Sequence, residues 1–451
     1  MTLHAGGTRV RLFPELFAGY AEPEVAMLSP PPGTVVVGPA DTQLYVANAV
    51  DKQLPYAPPG YMPPYRGIEH RPAIPDVAGH FDTVPVQAPQ FLAVHLYGAA
   101  RHTMDIWEHY LRQPIRWWHA PAVPRLELVP VVNWPNAHSG LGFLETGTIL
   151  DHDRREHLFC LNFDVVAHEI GHAVLFATVG APAPGRMTGE YLAFHESFAD
   201  LFGIVGVLRF SSVIWRLLAQ TGGNLHALNM VNRLGRYSDN QQIRNASNDV
   251  AMAQLAGVRL RPDGDWDDPM GHRRNEHALS QPLTGAIFDM LVEIFQDGLA
   301  SRGLVARGMD ARGGRPASVA RALPTLQQHF ESGLQRSPEA YEAALLEARD
   351  VVGFGMAHAM HTLHPESLSF GRVAARMIEA SWLLGERPNV PAIVRLFAAR
   401  GIDPLPFLKT ASGDVRFGDH ARESAMPRCR EPAAFLAARK MMHQTHRERR
   451  H

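Results

Sequence analysis

Cysteine is scarce in this chain: Cys160 and Cys429 are its two among 451 residues. That is too few for a disulfide framework or for a zinc site built on thiolates. An excess of either charge is also missing. The 43 lysines and arginines nearly balance 45 aspartates and glutamates, leaving a formal net charge of −2. No basic field points to nucleic acid and no acidic block to a solvating tail. No apolar run reaches the ~20 residues of a membrane span; the longest, around Phe202 to Phe210, contains Arg209. The opening MTLHAGGTRVRLFPELFAGY has no apolar stretch of the signal-peptide kind. A soluble, cytoplasmic protein without nucleic-acid or membrane partners is the expectation. Hydrophobic residues make up 46% and charged residues 20%, as in a globular chain with a substantial core.

What is present is uneven along the chain. Residues 1–80 are rich in proline, with SPPPG and PYAPPGYMPPYRG breaking any helical pattern. GTVVVG (Gly33 to Gly38) and QLYVANAV (Gln43 to Val50) read as short strands between turns, or the whole segment as a loosely ordered arm. From Gln90, QFLAVHLYGAARHTMDIWEHYL has a 3.6-residue apolar period, whereas RLELVPVVNW and HSGLGFLETGTIL read as strands or loops. Past Asp164 the pattern is mostly helical, and from about Pro404 a mixed tail ends in RKMMHQTHRERRH.

One helix carries groups that a core helix would not choose. In FDVVAHEIGHAVLF, Asn162 or Asp164 can cap the start and Gly180 the end, giving about four turns. His168 and His172 are four residues apart, so both rings point to one side and can reach a single zinc ion at ~2.0–2.1 Å. Glu169 is rotated by about 100° from His168, near the ion without being an obvious ligand, which suits a base acting on water. Two satisfied core histidines beside a wet glutamate are the bland alternative, and the pentapeptide alone is not decisive. A second helix adds HESFAD, where Glu196 offers a third ligand and Asp200, one turn on, can accept the spare N–H of a ligating imidazole. As a plain solvated acidic face the pair sits badly among Phe194, Phe198, Leu201 and Phe202.

FDVVAHEIGHAV followed by HESFADLFG resembles the thermolysin family of zinc metalloendopeptidases, the gluzincins with a downstream glutamate ligand. The resemblance runs over about residues 80 to 403. It implies an α+β fold of two lobes: a mixed β/α N-terminal lobe over 81–180 and a mostly helical lobe over 181–403, with the active site in the cleft between. Residues 1–80 and 404–451 are then extensions. It implies Zn2+ on His168, His172 and Glu196, Glu169 as general base, and Asp200 and His195 as supports of the zinc histidines; His195 stands where the family has asparagine, and Ala199 where it has serine. NEHALS places His277 and Ser280 in the family's His-x-x-Ser arrangement, with His277 stabilising the tetrahedral intermediate. QIRNASN points to Arg244 as a holder of a substrate carbonyl, and NWPNAHSGLGF to Asn136 and Ala137 as the peptide-binding edge. Val165 and Ile243 become candidates for an apolar pocket beyond the scissile bond. Met187 occupies the place of the family's catalytic tyrosine, with Tyr191 the nearest tyrosine.

The function implied is hydrolysis of peptide bonds by an endopeptidase. An aminopeptidase is one alternative, although the Gly-x-Met-Glu-Asn strand of those enzymes is not in the sequence. A zinc-stabilised binding protein is another, against which stands Glu169, since a structural site needs no base. Two further clusters stand out. HAMHTLH, with His358, His361 and His364, has ligand-like spacing but reads as structural or solvated. DGDWDD (Asp263 to Asp268) could bind Ca2+, although it lacks the EF-hand spacing.

Overall fold

The computed structural model describes residues 6–15, 22–183, 185–226, 229–235, 244–255, 276–306, 316–386 and 389–408, with a few isolated positions and two short strands between them. The fold is mixed α+β. Strands β1 (Thr8–Leu12) and β2 (Glu24–Leu28) pair antiparallel, Thr8 opposite Leu28. Thr8, Val10 and Leu12 are buried while Arg9 and Arg11 alternate outward, the period of two expected of a half-buried strand. The pair rests on α1 (Pro89–Leu111), whose proline at the first turn needs no hydrogen-bond partner. Gly98 of α1 makes that approach possible, because a Cβ there would sit 2.9 Å from the side chains of Val10 and Leu12.

A four-stranded sheet follows, built from β3 (Leu44–Val46), β4 (Leu126–Val129), β5 (Ala137–Gly140) and β6 (Phe143–Thr146) in the order β3-β4-β6-β5. β5 is outermost and antiparallel to β6; the other pairings are parallel. The hairpin β7 (Thr148–Leu150) and β8 (Glu156–Leu158) leads to the helices. GTVVVG does not form a strand. Pro31, Pro32 and Pro39 withhold donors, Gly33 and Gly38 have positive φ, and only isolated bridges, Val36 to Ala40 and Gly38 to Ala73, involve the segment. Residues 47–70 lie over the sheet instead of trailing from it: Tyr56 and Lys52 are buried, and Tyr45, Tyr56 and Tyr65 all bond to Glu127 of β4.

The helical part comprises α2 (Phe163–Thr178), α3 (Gly189–Val207), α4 (Ser211–Thr221), the two-residue strands β9 (Arg233–Leu234) and β10 (Arg244–Asn245), α5 (Glu276–Ser301), α6 (Pro316–Arg336), α7 (Pro338–Thr362), α8 (Phe370–Leu383), α9 (Val390–Ala399) and α10 (Leu405–Leu408). α2 packs on α1 and α3, α3 on α5, α5 on α7, and α7 on α8. Trp107 of α1 stacks on Phe202 of α3 with ring centroids 3.7 Å apart. α5 has the length and apolarity of a membrane span, and 83% of that window is buried inside the protein.

Three buried histidines make the fold acid-sensitive. His95 accepts from the Phe13 N–H and is bonded through its other nitrogen to the Cys160 carbonyl, so the neutral ring satisfies both sides. Burial pushes His95, His102 and His119 down to about 4. In the unfolded chain they take up protons near pH 6.5. The unfolded state therefore binds more protons between those values, and stability present above pH 6.5 is lost as pH falls toward 4. The expected loss is up to about 1.4 kcal/mol per pH unit for each ring. Urea midpoints at pH 7 and pH 4.5 measure it, and equal midpoints would refute it.

Candidate metal centre

α2 carries His168, Glu169 and His172, and its ends are closed much as the sequence suggests. Asn162 takes the N-cap position with extended backbone but without a side-chain cap bond. Asp164 in the first turn accepts from the Gly235 N–H at 2.7 Å, and Gly180 at φ 82° donates to the Leu175 carbonyl. α3 crosses α2 closely because Gly171 has no side chain: a Cβ would lie 3.1 Å from the Ala199 Cα and from the Phe202 ring. Gly171→Val is expected to cost about 1–3 kcal/mol through overpacking and to weaken metal binding by moving α2 off α3. Urea unfolding and a zinc-chelator competition read the two effects separately.

That crossing brings three candidate ligand residues together. His168 Nε2 and His172 Nε2 are 3.1 Å apart, His168 Nε2 is 3.4 Å from Glu196 Oε2, and His172 Nε2 is 3.6 Å from Glu196 Oε1. Ligands at 2.0–2.2 Å from one tetrahedral ion are separated by about 3.3–3.6 Å, so the two imidazoles and the carboxylate, which meets them through different oxygens, stand at the spacing of ligands to a single zinc-sized cation. Glu196 is 4% exposed and Glu169 8%. Burial alone would raise the Glu196 carboxyl. The rings of His277, His172 and His168 reverse this and hold it well below the ordinary range, so it is an anion ready to ligate.

A charged frame surrounds the three. Asp200 Oδ1 lies 3.0 Å from His168 Nδ1, leaving Nε2 of that ring for the ion. Against the penalty of burial, Arg244 and His168 keep Asp200 ionised. Arg244, in β10, places its Nε 2.8 Å from Asp200 Oδ2, one terminal nitrogen 3.0 Å from His277 Nδ1 and the other 3.3 Å from His168 Nδ1. His277, in the first turn of α5, has Nδ1 2.8 Å from Glu196 Oε2, and Ser280 donates to its carbonyl.

His195 is fully buried with its ring within 11° of parallel to that of His172, centroids 5.9 Å apart, and its Nε2 is 2.9 Å from the Tyr191 hydroxyl. Tyr191 donates to the Gly180 carbonyl at 2.6 Å and is buried, as is Met187, so this tyrosine serves the helix junction. Ala137 opens the outer strand β5 and packs with Phe159 and Val165 of α2, while the Asn136 carbonyl accepts from Gly147. Ile243 and most of DGDWDD lie outside the described residues, as does the tail beyond Leu408. The histidines of HAMHTLH do not converge. His358 faces Glu379, His361 the Leu111 carbonyl, and His364 caps the turn at Glu366.

Glu276 was not among the candidates visible in the sequence. It is 3% exposed and forms a second candidate set with Glu196 and His277. Its one signal was adjacency to His277. That set shares Glu196 with the first, and the Arg244 guanidinium already abuts His277, so it extends the same site.

No protein-family model matches the chain, and no curated protein matches it either. Among solved structures it is similar to the precursor of protealysin, a metalloproteinase from Serratia proteamaculans. Identity is 15% over 67% of this chain and 87% of that one, with a TM-score of 0.33. A likeness so loose carries no argument about fold or activity.

Proposed function

We propose that this protein is a zinc metallopeptidase, an endopeptidase with the two-lobed arrangement of thermolysin-like enzymes, in which α2 lines the cleft. The observation that supports it is the convergence of His168 Nε2, His172 Nε2 and the Glu196 carboxylate at ion-sized spacing, with Glu169 one residue from the first ligand. His168, His172 and Glu196 would hold zinc, which when bound acidifies water and polarises a carbonyl. Three protein ligands leave room for a reactant, as catalytic zinc sites do. Glu169 takes the proton of the attacking water and returns it to the leaving amine. His277 and Arg244 face the developing oxyanion, while Asp200 keeps Arg244 and His168 in place. The peptide extends along β5, where Asn136 and Ala137 present backbone groups.

Metal analysis of the purified protein should give one zinc per chain. Cleavage of a quenched peptide library should vanish on chelation and return with zinc. Cuts inside blocked peptides are expected, and cuts confined to free N-termini would instead favour an aminopeptidase. A metal-free protein, or cleavage indifferent to chelation, would sink the proposal.

A further inference from the structure

Arg400, which closes α9, is a buried charge far along the chain from every group at the metal centre, and it is 5% exposed. Its guanidinium makes five bonds, as many as it has N–H groups, and none of them returns to α9. Nε and Nη2 donate to Asp289 Oδ2 of α5 at 3.3 and 2.7 Å. Nη1 donates to Asn248 Oδ1 at 3.1 Å and to the Val250 carbonyl at 3.0 Å, and Nη2 donates also to the Asn248 carbonyl. The Arg400 carbonyl accepts from the Met252 N–H at 2.8 Å. The guanidinium lies flat on α5 because residue 285 is glycine: a Cβ there would sit 2.5–2.8 Å from it.

The loop acceptors belong to the segment that leaves β10. Asn248 stands four residues after Arg244, and its amide donates to the carbonyls of Asn245 and Ala246 at 3.3 Å and of Gln281 at 3.2 Å. Gln281 lies in α5 one turn after His277. β10 itself has two residues and one two-residue partner, β9, so ladder bonds alone fix it weakly. A helix cap would bond the carbonyls of its own helix, and an ion pair would need Asp289 alone. This guanidinium instead bonds at once to the loop behind Arg244 and to the helix that carries His277. Those two side chains meet at 3.0 Å, Arg244 to His277 Nδ1, so a shift of the loop on α5 moves one against the other.

We infer that Arg400 is a positioning residue that seats the 245–252 loop on α5 and so sets Arg244 beside His277, an inference that rests on the peptidase reading above. Arg400 touches neither the metal centre nor the cleft; it acts through Asn248 and β10. Arg244 and His277 face a charge that develops after the substrate has bound. Loss of the seat therefore lowers kcat and leaves KM nearly unchanged.

The test uses the full-length zinc-loaded protein, with zinc content measured in every variant. Arg400→Lys keeps a positive charge beside Asp289 but replaces the planar fork with three donors on one point, which cannot span Asp289 and the loop together. Hydrogen exchange at the amides of Ala246, Val250 and Met252 is expected to accelerate about tenfold, with α2 unchanged. For a blocked peptide kcat should fall by about ten- to a hundredfold while KM stays within about twofold. Added to Arg244→Met, the same substitution should change kcat by less than about twofold, because the group it positions is already gone. An equal fall in both backgrounds, a rise in KM at constant kcat, or unchanged exchange in the folded variant would each overturn the inference. Should Arg400→Lys fail to fold, Asn248→Ala removes the loop side of the joint, leaves the Arg400–Asp289 pair intact and gives the same readouts. Should the native protein cleave no peptide, the peptidase reading fails, and exchange still decides whether Arg400 seats the loop.

Discussion

Glu169→Gln is expected to keep one zinc per chain and to lower kcat by roughly 10²–10⁴-fold. Glutamine is nearly isosteric and has no proton-accepting carboxylate. The candidate ligands His168, His172 and Glu196 are framed by Asp200 and Arg244, so in the proposed site the metal would not depend on residue 169. Metal content and single-turnover cleavage, measured on the same preparation, separate binding from chemistry. Full activity would remove Glu169 as the base. Loss of zinc would make it part of the ligand frame.

Lys52→Met is expected to cost about 3–5 kcal/mol of folding stability, the range for breaking a buried ion pair from one side. Methionine fills much the same volume, so the loss is mainly electrostatic. Burial would raise the Glu145 carboxyl, and His138 and Lys52 together hold it below the ordinary range. Without Lys52 it keeps the His138 and Tyr56 bonds but loses its countercharge in a place that water does not reach. The cost should shrink in Lys52→Met/Glu145→Gln, where no charge is stranded. Urea unfolding of the two variants reads the difference, and equal losses would show that packing, not the stranded carboxylate, is responsible.

Local chemistry made much of the site readable in advance. His168 and His172 share a helix face because an α-helix repeats every 3.6 residues, and Asn162, Asp164 and Gly180 mark its ends for reasons internal to the chain. The helices over Pro89–Leu111, Phe163–Thr178 and Gly189–Val207 were visible as apolar periods for the same reason.

The N-terminal segment was not readable in this way. Its prolines and glycines excluded helix and left GTVVVG apolar enough to suggest a strand, but nothing nearby in sequence says that Tyr56, Tyr65 and Lys52 are anchored by Glu127 and Glu145, more than 60 residues away in the chain. Arg244 presents the same difficulty. Sequence suggested a holder of substrate carbonyl, whereas packing also ties its guanidinium to Asp200, His168 and His277 at once. Glu276 gained its place only when the first turn of α5 met Glu196 of α3. Residue types and helical spacing thus determined which groups could ligate and which could act as base. Which distant charges would be buried against one another was decided by tertiary structure alone, because the cost of hiding a charge depends on the partner the fold brings to it.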